Sequence, residues 1–381
     1  MIEIANMFEY LSTPSGALTV LLLVVPILLI PIVILGPESN QFRRLQQLWS
    51  RRQKQNANSS SEIVSLRVYP IKSCRGFTVN KSILRSHGLD LDRQWMFVDA
   101  ETLQFLTIRQ IPEMTLINTS LSEDGKSLLL SITGVDGDVA TTEKPISIPA
   151  VPDTDWLEQH TTLSQVKVWD VLTDGYVYGN EINGSFSRFL GRNVALVYKG
   201  PTPRILQGNG DPQLLGRTQS VNFPDVHPIL IASEASIAEL NSRLRQKGAD
   251  PITIERFRPN IVIKGNAPWT EDSWKTVRFN GNSGSLAENG DSFVLPSPAL
   301  DLDIVARCAR CQVPNVNPET AEKHSKQPWD TLVSYRRIDE GIKFKPCFGM
   351  LAAPRNEGAI EVGMRFDVLE ETNQHRYIKG F

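Results

Sequence analysis

Cysteine is scarce: Cys74, Cys308, Cys311 and Cys347 are the four in 381 residues. Four thiols with one close pair exclude a disulfide-built secreted framework and suit a reducing compartment. An excess of charge of either sign is also missing, since 40 Lys and Arg stand against 42 Asp and Glu for a net charge of −2. Without net basicity the chain has no general attraction for a polyanion, which argues against a nucleic-acid protein. There is no internal repeat and no low-complexity tract. Hydrophobic residues at 41% and charged residues at 22% exclude wholesale disorder and a multi-spanning membrane protein. At about 100–200 residues per domain, the length leaves room for two packed domains or one large one.

Charge is absent altogether between Glu9 and Glu38, and within that gap residues 17–35 read ALTVLLLVVPILLIPIVIL. As a helix the stretch would rise about 28 Å, one bilayer crossing. Glu3 and Glu9 precede it, whereas Arg43, Arg44, Arg51, Arg52 and Lys54 follow. That order is the reverse of a cleaved secretory signal, and the positive-inside rule places the remainder in the cytosol. Pro26 and Pro31 interrupt the span, as membrane helices tolerate. Residues 1–52 therefore read as a membrane anchor with a basic flank, and 53–62 (QKQNANSSSE) as a flexible linker.

The body beyond residue 62 is dominated by short runs of alternating apolar residues: 63–69, 94–99, 116–121, 128–132, 165–171 and 195–199, with Asp124-Gly125 as a hairpin turn. Short helices are expected at 156–160 and 185–191. Further on, Ser233 is a good N-cap for a helix whose Ile237, Leu240 and Leu244 share one face and which stops at Gly248. Strands are then expected at 260–264, 276–279, 292–295, 302–307, 332–335, 348–353 and 365–369. The pattern predicts a mainly β, α+β chain of barrel-like domains rather than alternating βαβ units.

Cys308-Ala-Arg-Cys311 is the strongest local chemical signal, because Arg307 and Arg310 flank it and favour thiolate. Structural zinc, a thioredoxin-like redox pair and two plain reduced thiols in a loop compete as explanations. Zinc needs about four ligands, and His324 and Cys347 stand at unfamiliar spacings. Prolines 314 and 318 promise loop where a redox pair would want a helix. Lys72 and Ser73, in the loop after Tyr69-Pro70, suit a phosphate or an anionic ring edge. Arg93, Arg256, Arg258 and Asn260 are further candidates for anion recognition, with a solvated charge or a loop salt bridge as the plain alternative.

Taken in order, these fragments resemble the MOSC-domain molybdenum proteins, in particular the mitochondrial amidoxime-reducing component family. The resemblance runs over nearly all of the chain after residue 62. It rests on Val68-Tyr-Pro-Ile-Lys-Ser-Cys-Arg-Gly, Asp92-Arg-Gln-Trp, Thr107-Ile-Arg-Gln, Ile231-Ala-Ser-Glu-Ala-Ser, Phe257-Arg-Pro-Asn-Ile and Glu271-Asp-Ser-Trp. Cys308-Ala-Arg-Cys, Val316-Asn-Pro-Glu-Thr, Leu332-Val-Ser-Tyr-Arg and Phe348-Gly complete it.

The resemblance implies a MOSC N-terminal β-barrel domain over 63–200 and a MOSC β-barrel domain over 201–375, preceded by one transmembrane helix. It also implies a pyranopterin molybdenum cofactor (Mo-molybdopterin) held between the two. Cys311 would be the thiolate on molybdenum; Lys72, Ser73, Arg93, Arg258, Asn260 and Arg310 would hold the pterin and its phosphate; Asp225 would be the acidic residue near the metal, positioning or protonating substrate. Two positions depart from the family pattern, Val226-His227 where small hydroxyl residues are usual and Asn317 where an acid is usual. The implied activity is reduction of N-hydroxylated compounds, amidoximes and hydroxylamines, with electrons from cytochrome b5 and its NADH-dependent reductase. The implied setting is the outer mitochondrial membrane with the body in the cytosol; the endoplasmic reticulum membrane fits the anchor equally. A non-catalytic carrier of molybdenum cofactor, or a module related to cofactor sulfuration, is the alternative function.

Overall fold

A computed structural model describes residues 61–134, 145–281 and 299–380. The expected anchor, most of the linker and the strand at 292–295 lie outside those residues. Among the described residues no helix is long and apolar enough to cross a membrane.

Seven strands close a barrel in the order Ile261–Ile263, Ile229–Ser233, Cys347–Pro354, Leu300–Ala309, Trp274–Asn280, Arg365–Glu371 and Ser61–Val68, with the last pairing back to the first. Closure comes from the antiparallel register Ile63↔Ile263 and Leu66↔Ile261. One pair is parallel, Ile231↔Ile261, and the helix Glu234–Gln246 lies in the crossover between those two strands. Closing the sheet removes the open edges that a strand array would otherwise expose. Ser61–Val68 thus completes a barrel whose other six strands come from beyond residue 228, so the hydrogen-bonded sheet does not follow a division of the sequence near residue 200. Inside, alternate residues interlock: Leu66, Ile231, Val277, Leu302, Met350 and Phe366 are all buried in one cluster.

The earlier part of the body builds two further sheets. Trp95–Asp99, Val194–Lys199, Val171–Tyr178 and Thr161–Val168 form a four-stranded antiparallel sheet in that order, and Ile117–Leu121, Ser127–Ile132 and Ile146–Pro149 form a three-stranded one. Trp95, Phe97, Leu128, Phe186 and Leu196 fill the core between them. Phe186 comes from the helix Asn180–Leu190, which Gly191 ends in a left-handed cap as its position predicts.

Two expectations are corrected. The stretch 332–335 is the end of a helix, Trp329–Tyr335, not a strand. Four apolar-rich residues cannot decide between the two periods, and the Gln327 side chain, which accepts from the Thr331 amide at 3.3 Å, helps secure the helical start. The run 165–171 is split, because Trp169 and Asp170 turn the chain between the paired Val168 and Val171. The helix capped by Ser233 is present as expected: the Ser236 amide donates to Ser233 Oγ at 3.2 Å, and Ile237, Leu240 and Leu244 are buried against Phe257, Leu332 and Phe348.

Candidate functional site

The loop after Ser61–Val68 is shaped by residues that cannot continue a strand. Pro70 removes an amide donor, Ser73 takes a left-handed φ of 70°, and Gly76 passes so close to the strand that a Cβ there would lie 2.2 Å from the Val68 carbonyl oxygen. The result is an inward-pointing Lys72, whose side chain is 6% exposed. Its Nζ donates to the Phe223 carbonyl at 2.9 Å and pairs with the Asp225 carboxylate. Burial pulls the Lys72 ammonium down to about 8, with Asp225 pulling the other way. Asp225 is held well below the usual carboxylate range: burial opposes this, and the charges of Lys72 and Arg109, with hydrogen bonds from Lys72 and Trp169, together outweigh it.

Behind Lys72 a second cationic group stands on Tyr69. The buried phenol ring has the Arg258 guanidinium 4.3 Å from its centre and the Arg93 guanidinium 4.8 Å away. Arg93 is not a strand residue; it sits in a left-handed turn just before Trp95–Asp99, and Arg258 has the same handedness at the end of the turn Ile254–Phe257. Arg93 donates to Asp92 at 2.5 Å and to Asn260 Oδ1 at 3.0 Å, whereas Arg258 donates one bond to the Cys74 carbonyl at 2.6 Å. The other terminal nitrogen of Arg258, Nη2, is buried without a protein acceptor. Burial first, and Arg93 second, push the Arg258 guanidinium down. Two adjacent guanidinia with a spare donor form a seat for an anion.

The two cysteines of the close pair part company. Cys308 is in the strand Leu300–Ala309 and accepts from Arg310 at 3.0 Å, while Arg310 also donates to the Phe257 carbonyl at 2.9 Å. Cys311 lies beyond the strand end, and its sulfur accepts from Arg109 Nε at 3.3 Å. A turn, Val313–Asn315, follows it. Among the described residues no three His, Cys, Asp or Glu side chains converge as a metal cluster, so the zinc reading finds no ligand set there.

Of the residues expected at the site, Lys72 and Asp225 form one contact group with Cys311 through Arg109. Arg93, Arg258 and Asn260 form a second, to which the loop carrying Lys72 and Ser73 is tied through Cys74. Arg310 joins them through Phe257, the neighbour of Arg258. Arg256 points elsewhere, to the Pro314 carbonyl at 3.4 Å.

Residues missed by sequence reasoning are Arg109, Trp169 and Arg204. Arg109 binds Asp225 Oδ2 at 2.9 Å and lies 4.7 Å from the Trp169 ring centre. The only trace of it in the sequence was its place in Thr107-Ile-Arg-Gln. Arg204 is buried, donates to the carbonyls of Asn222 and Pro224, and is lowered by burial to about 10, with Asp225 opposing. His227, at one of the unusual positions, is buried with neither ring nitrogen bonded to protein.

Two family descriptions match the chain: the MOSC N-terminal beta barrel domain over residues 60–193 and the MOSC domain over residues 218–367. Among curated proteins, it is 33% identical over 296 residues to the molybdenum cofactor sulfurase of Arabidopsis thaliana, covering 75% of this chain and 32% of that protein. It is 29% identical over 327 residues to mitochondrial amidoxime-reducing component 1 of Homo sapiens, covering 84% of this chain and 86% of that protein. The chain therefore spans about a third of the length of the plant sulfurase and most of the length of the amidoxime-reducing component.

Proposed function

The chain belongs to the MOSC-domain proteins, and from that premise we propose that it is a molybdenum-cofactor oxidoreductase that reduces N-hydroxylated compounds such as amidoximes and hydroxylamines. The observation that carries the reading is the half-exposed thiol of Cys311 joined through Arg109 to an ionised acid, Asp225, together with an anion seat whose Arg258 Nη2 lacks a protein acceptor. Those groups fit the cofactor: Arg93, Arg258, Asn260, Lys72, Ser73 and Arg310 would hold the pterin and its phosphate, and Cys311 would ligate molybdenum. When bound, the group supplies two-electron chemistry that breaks an N–O bond, the oxygen leaving as water after uptake of two electrons and two protons.

The chain's own residues bind and orient. With Lys72 and Arg109 on its two oxygens, Asp225 stays ionised at neutral pH, so it serves as an acceptor that positions the substrate rather than as its proton donor. In this reading the two electrons would be delivered by cytochrome b5 and its NADH-dependent reductase, as the family resemblance suggests. The apolar segment 17–35 would hold the protein to the outer mitochondrial membrane, or to the endoplasmic reticulum membrane, where a membrane-bound donor gains effective concentration.

The test is molybdenum and pterin content of the full chain from a cofactor-competent host, and its turnover of N-hydroxybenzamidine with reduced methyl viologen. Near-stoichiometric molybdenum with turnover, and loss of turnover in Cys311→Ser, is the expected result. Bound cofactor without turnover favours a carrier or a sulfuration-related module instead, in line with the likeness to about a third of a molybdenum cofactor sulfurase. Absence of both cofactor and turnover overturns the reading.

A further inference from the structure

Four chain segments meet where Arg109 stands. Its Nε donates to Cys311 Sγ at 3.3 Å and its Nη2 to Asp225 Oδ2 at 2.9 Å, so one planar group spans the acid and the thiol. The other oxygen of Asp225 is taken by Lys72. Phe105 backs both arms, lying 5.5 Å from the Lys72 ammonium and 4.9 Å, centre to centre, from the Trp169 ring that carries Arg109. Carboxylate and thiolate repel when close, and a guanidinium between them relieves that repulsion while its rigid fork fixes their relative orientation.

The placement of Trp169 is the second, independent observation. It occupies the first position of the two-residue turn joining the paired strands Thr161–Val168 and Val171–Tyr178, with φ of 54°. A left-handed φ at that position is natural for glycine and costs a bulky residue about 1–2 kcal/mol. The indole therefore sits there against the local preference of the backbone, and among the contacts it gains are the Arg109 guanidinium, the Phe105 ring and the Asp225 carboxylate that Arg109 also holds. Strain of this kind persists where the surroundings over-determine it, and it concentrates at functional sites.

We propose that Arg109, held by the Trp169 ring at the strained hairpin tip, is the positioning residue of this site, setting the Asp225 carboxylate against the Cys311 sulfur. Lys72 alone could neutralise Asp225, but it makes no contact with the sulfur; Arg109 joins the two and does so from the subdomain opposite the barrel strand that leads to Cys311. The proposal rests on the reading that Cys311 is the metal's thiolate, in that the geometry matters to turnover only if that reading holds.

Two arms separate the ideas. In the full chain without cofactor, hydrogen exchange is followed by mass spectrometry in wild type, Arg109→Gln, Arg109→Lys and Trp169→Gly. Arg109→Gln should speed exchange at least threefold in the hairpin tip, 167–173, and leave the strand Ile229–Ser233 unchanged. Unchanged exchange at the tip overturns the clamp, whatever the cofactor does. In the loaded chain, Arg109→Gln should keep molybdenum within twofold of wild type, shift the Mo(V) resonance, and lower kcat for N-hydroxybenzamidine at least tenfold with KM changed less than threefold. Arg109→Lys should recover part of kcat. Trp169→Gly keeps a comfortable turn and loses the ring, so it should lower kcat threefold or more, with the double variant no worse than Arg109→Gln alone. A change confined to KM, an unshifted resonance, or additive losses would overturn the positioning role. If the wild type takes up no molybdenum, the functional reading fails and the exchange arm still decides the clamp.

Discussion

The Arg258 guanidinium lies 4.3 Å from the centre of the Tyr69 ring, and Arg93 shares that ring at 4.8 Å. Two like charges are brought together on one buried aromatic platform, each gaining about 0.5–2 kcal/mol from the ring. Tyr69→Phe keeps the platform and loses only the hydroxyl that accepts from Arg67 Nε at 3.3 Å, a cost of about 0.5–1.5 kcal/mol. Tyr69→Leu removes the platform. Thermal melts should show a clearly larger loss for Leu than for Phe, and molybdenum content should fall several-fold in Leu while staying near wild type in Phe. Equal cofactor content in the two variants would deny the platform its role in anion binding.

Lys72 and Asp225 are unequal partners. Lys72 is 6% exposed, whereas the Asp225 side chain is 41% exposed and also holds Arg109. Removing Asp225 leaves a buried ammonium with a lone carbonyl acceptor; removing Lys72 leaves a carboxylate still held by Arg109 and Trp169. Asp225→Ala should therefore destabilise by about 1–2 kcal/mol more than Lys72→Met, measured by denaturant unfolding. The double variant should be less destabilised than the sum of the two single variants. The reverse order would mean that the pair is held by something other than the burial of Lys72.

Two buried groups, Glu271 away from the site and His227 two residues from Asp225, tilt stability with pH in opposite directions. Glu271 accepts from Ser236 Oγ at 2.6 Å, has a second oxygen without partner, and is raised by burial to about 7. Its folded pKa exceeds its unfolded one, so its contribution is complete below about pH 4.5 and is lost as pH rises through about 7, on the order of 3 kcal/mol in all. Glu271→Gln should flatten that decline. His227 is lowered by burial to about 4, so its contribution is present above about pH 6.5 and lost as pH falls toward 4. His227→Leu, which also removes two unpaired nitrogens, should flatten the acid limb and raise the melting temperature at pH 5. Stability curves parallel to wild type across these windows would show that neither group is neutral in the fold.

Gly76 offers a steric test. A Cβ would sit 2.2 Å from the Val68 carbonyl oxygen and 2.6 Å from the Tyr69 ring. Neither backbone nor buried platform can move freely, so Gly76→Ala should cost about 2–4 kcal/mol in chemical denaturation and lower molybdenum uptake in parallel. A neutral substitution would mean that the loop carrying Lys72 and Ser73 tolerates displacement.

Much of the fold was legible because it follows from local rules. Alternation found the strands at 63–69, 94–99, 302–307 and 348–353 to within three residues, and Ser233 with the Ile237, Leu240 and Leu244 face found the long helix. It failed where short-range signals are degenerate. The run 332–335 has too few residues to reveal its period, and Trp169 hides a turn inside an apolar stretch because the position favours glycine and the residue is not one. Ser61–Val68 was legible as a strand but not as the closing member of a barrel made from the far half of the chain.

By itself, the sequence determined which groups were available for chemistry: four thiols, the lysine-serine loop, the arginines at 93, 258 and 310, and an acid at 225. It also determined the family, because ordered motifs are carried by identity and spacing alone. Only the tertiary structure decided which groups work together. It separated Cys308 from Cys311 by giving each a different arginine, and it set Arg109 between residues 116 and 202 positions away along the chain. Hydrogen bonds and ring contacts depend on distances of 3–5 Å in space, and where a chain returns upon itself after a hundred residues such distances are fixed by barrel closure and hairpin geometry, not by neighbours in sequence.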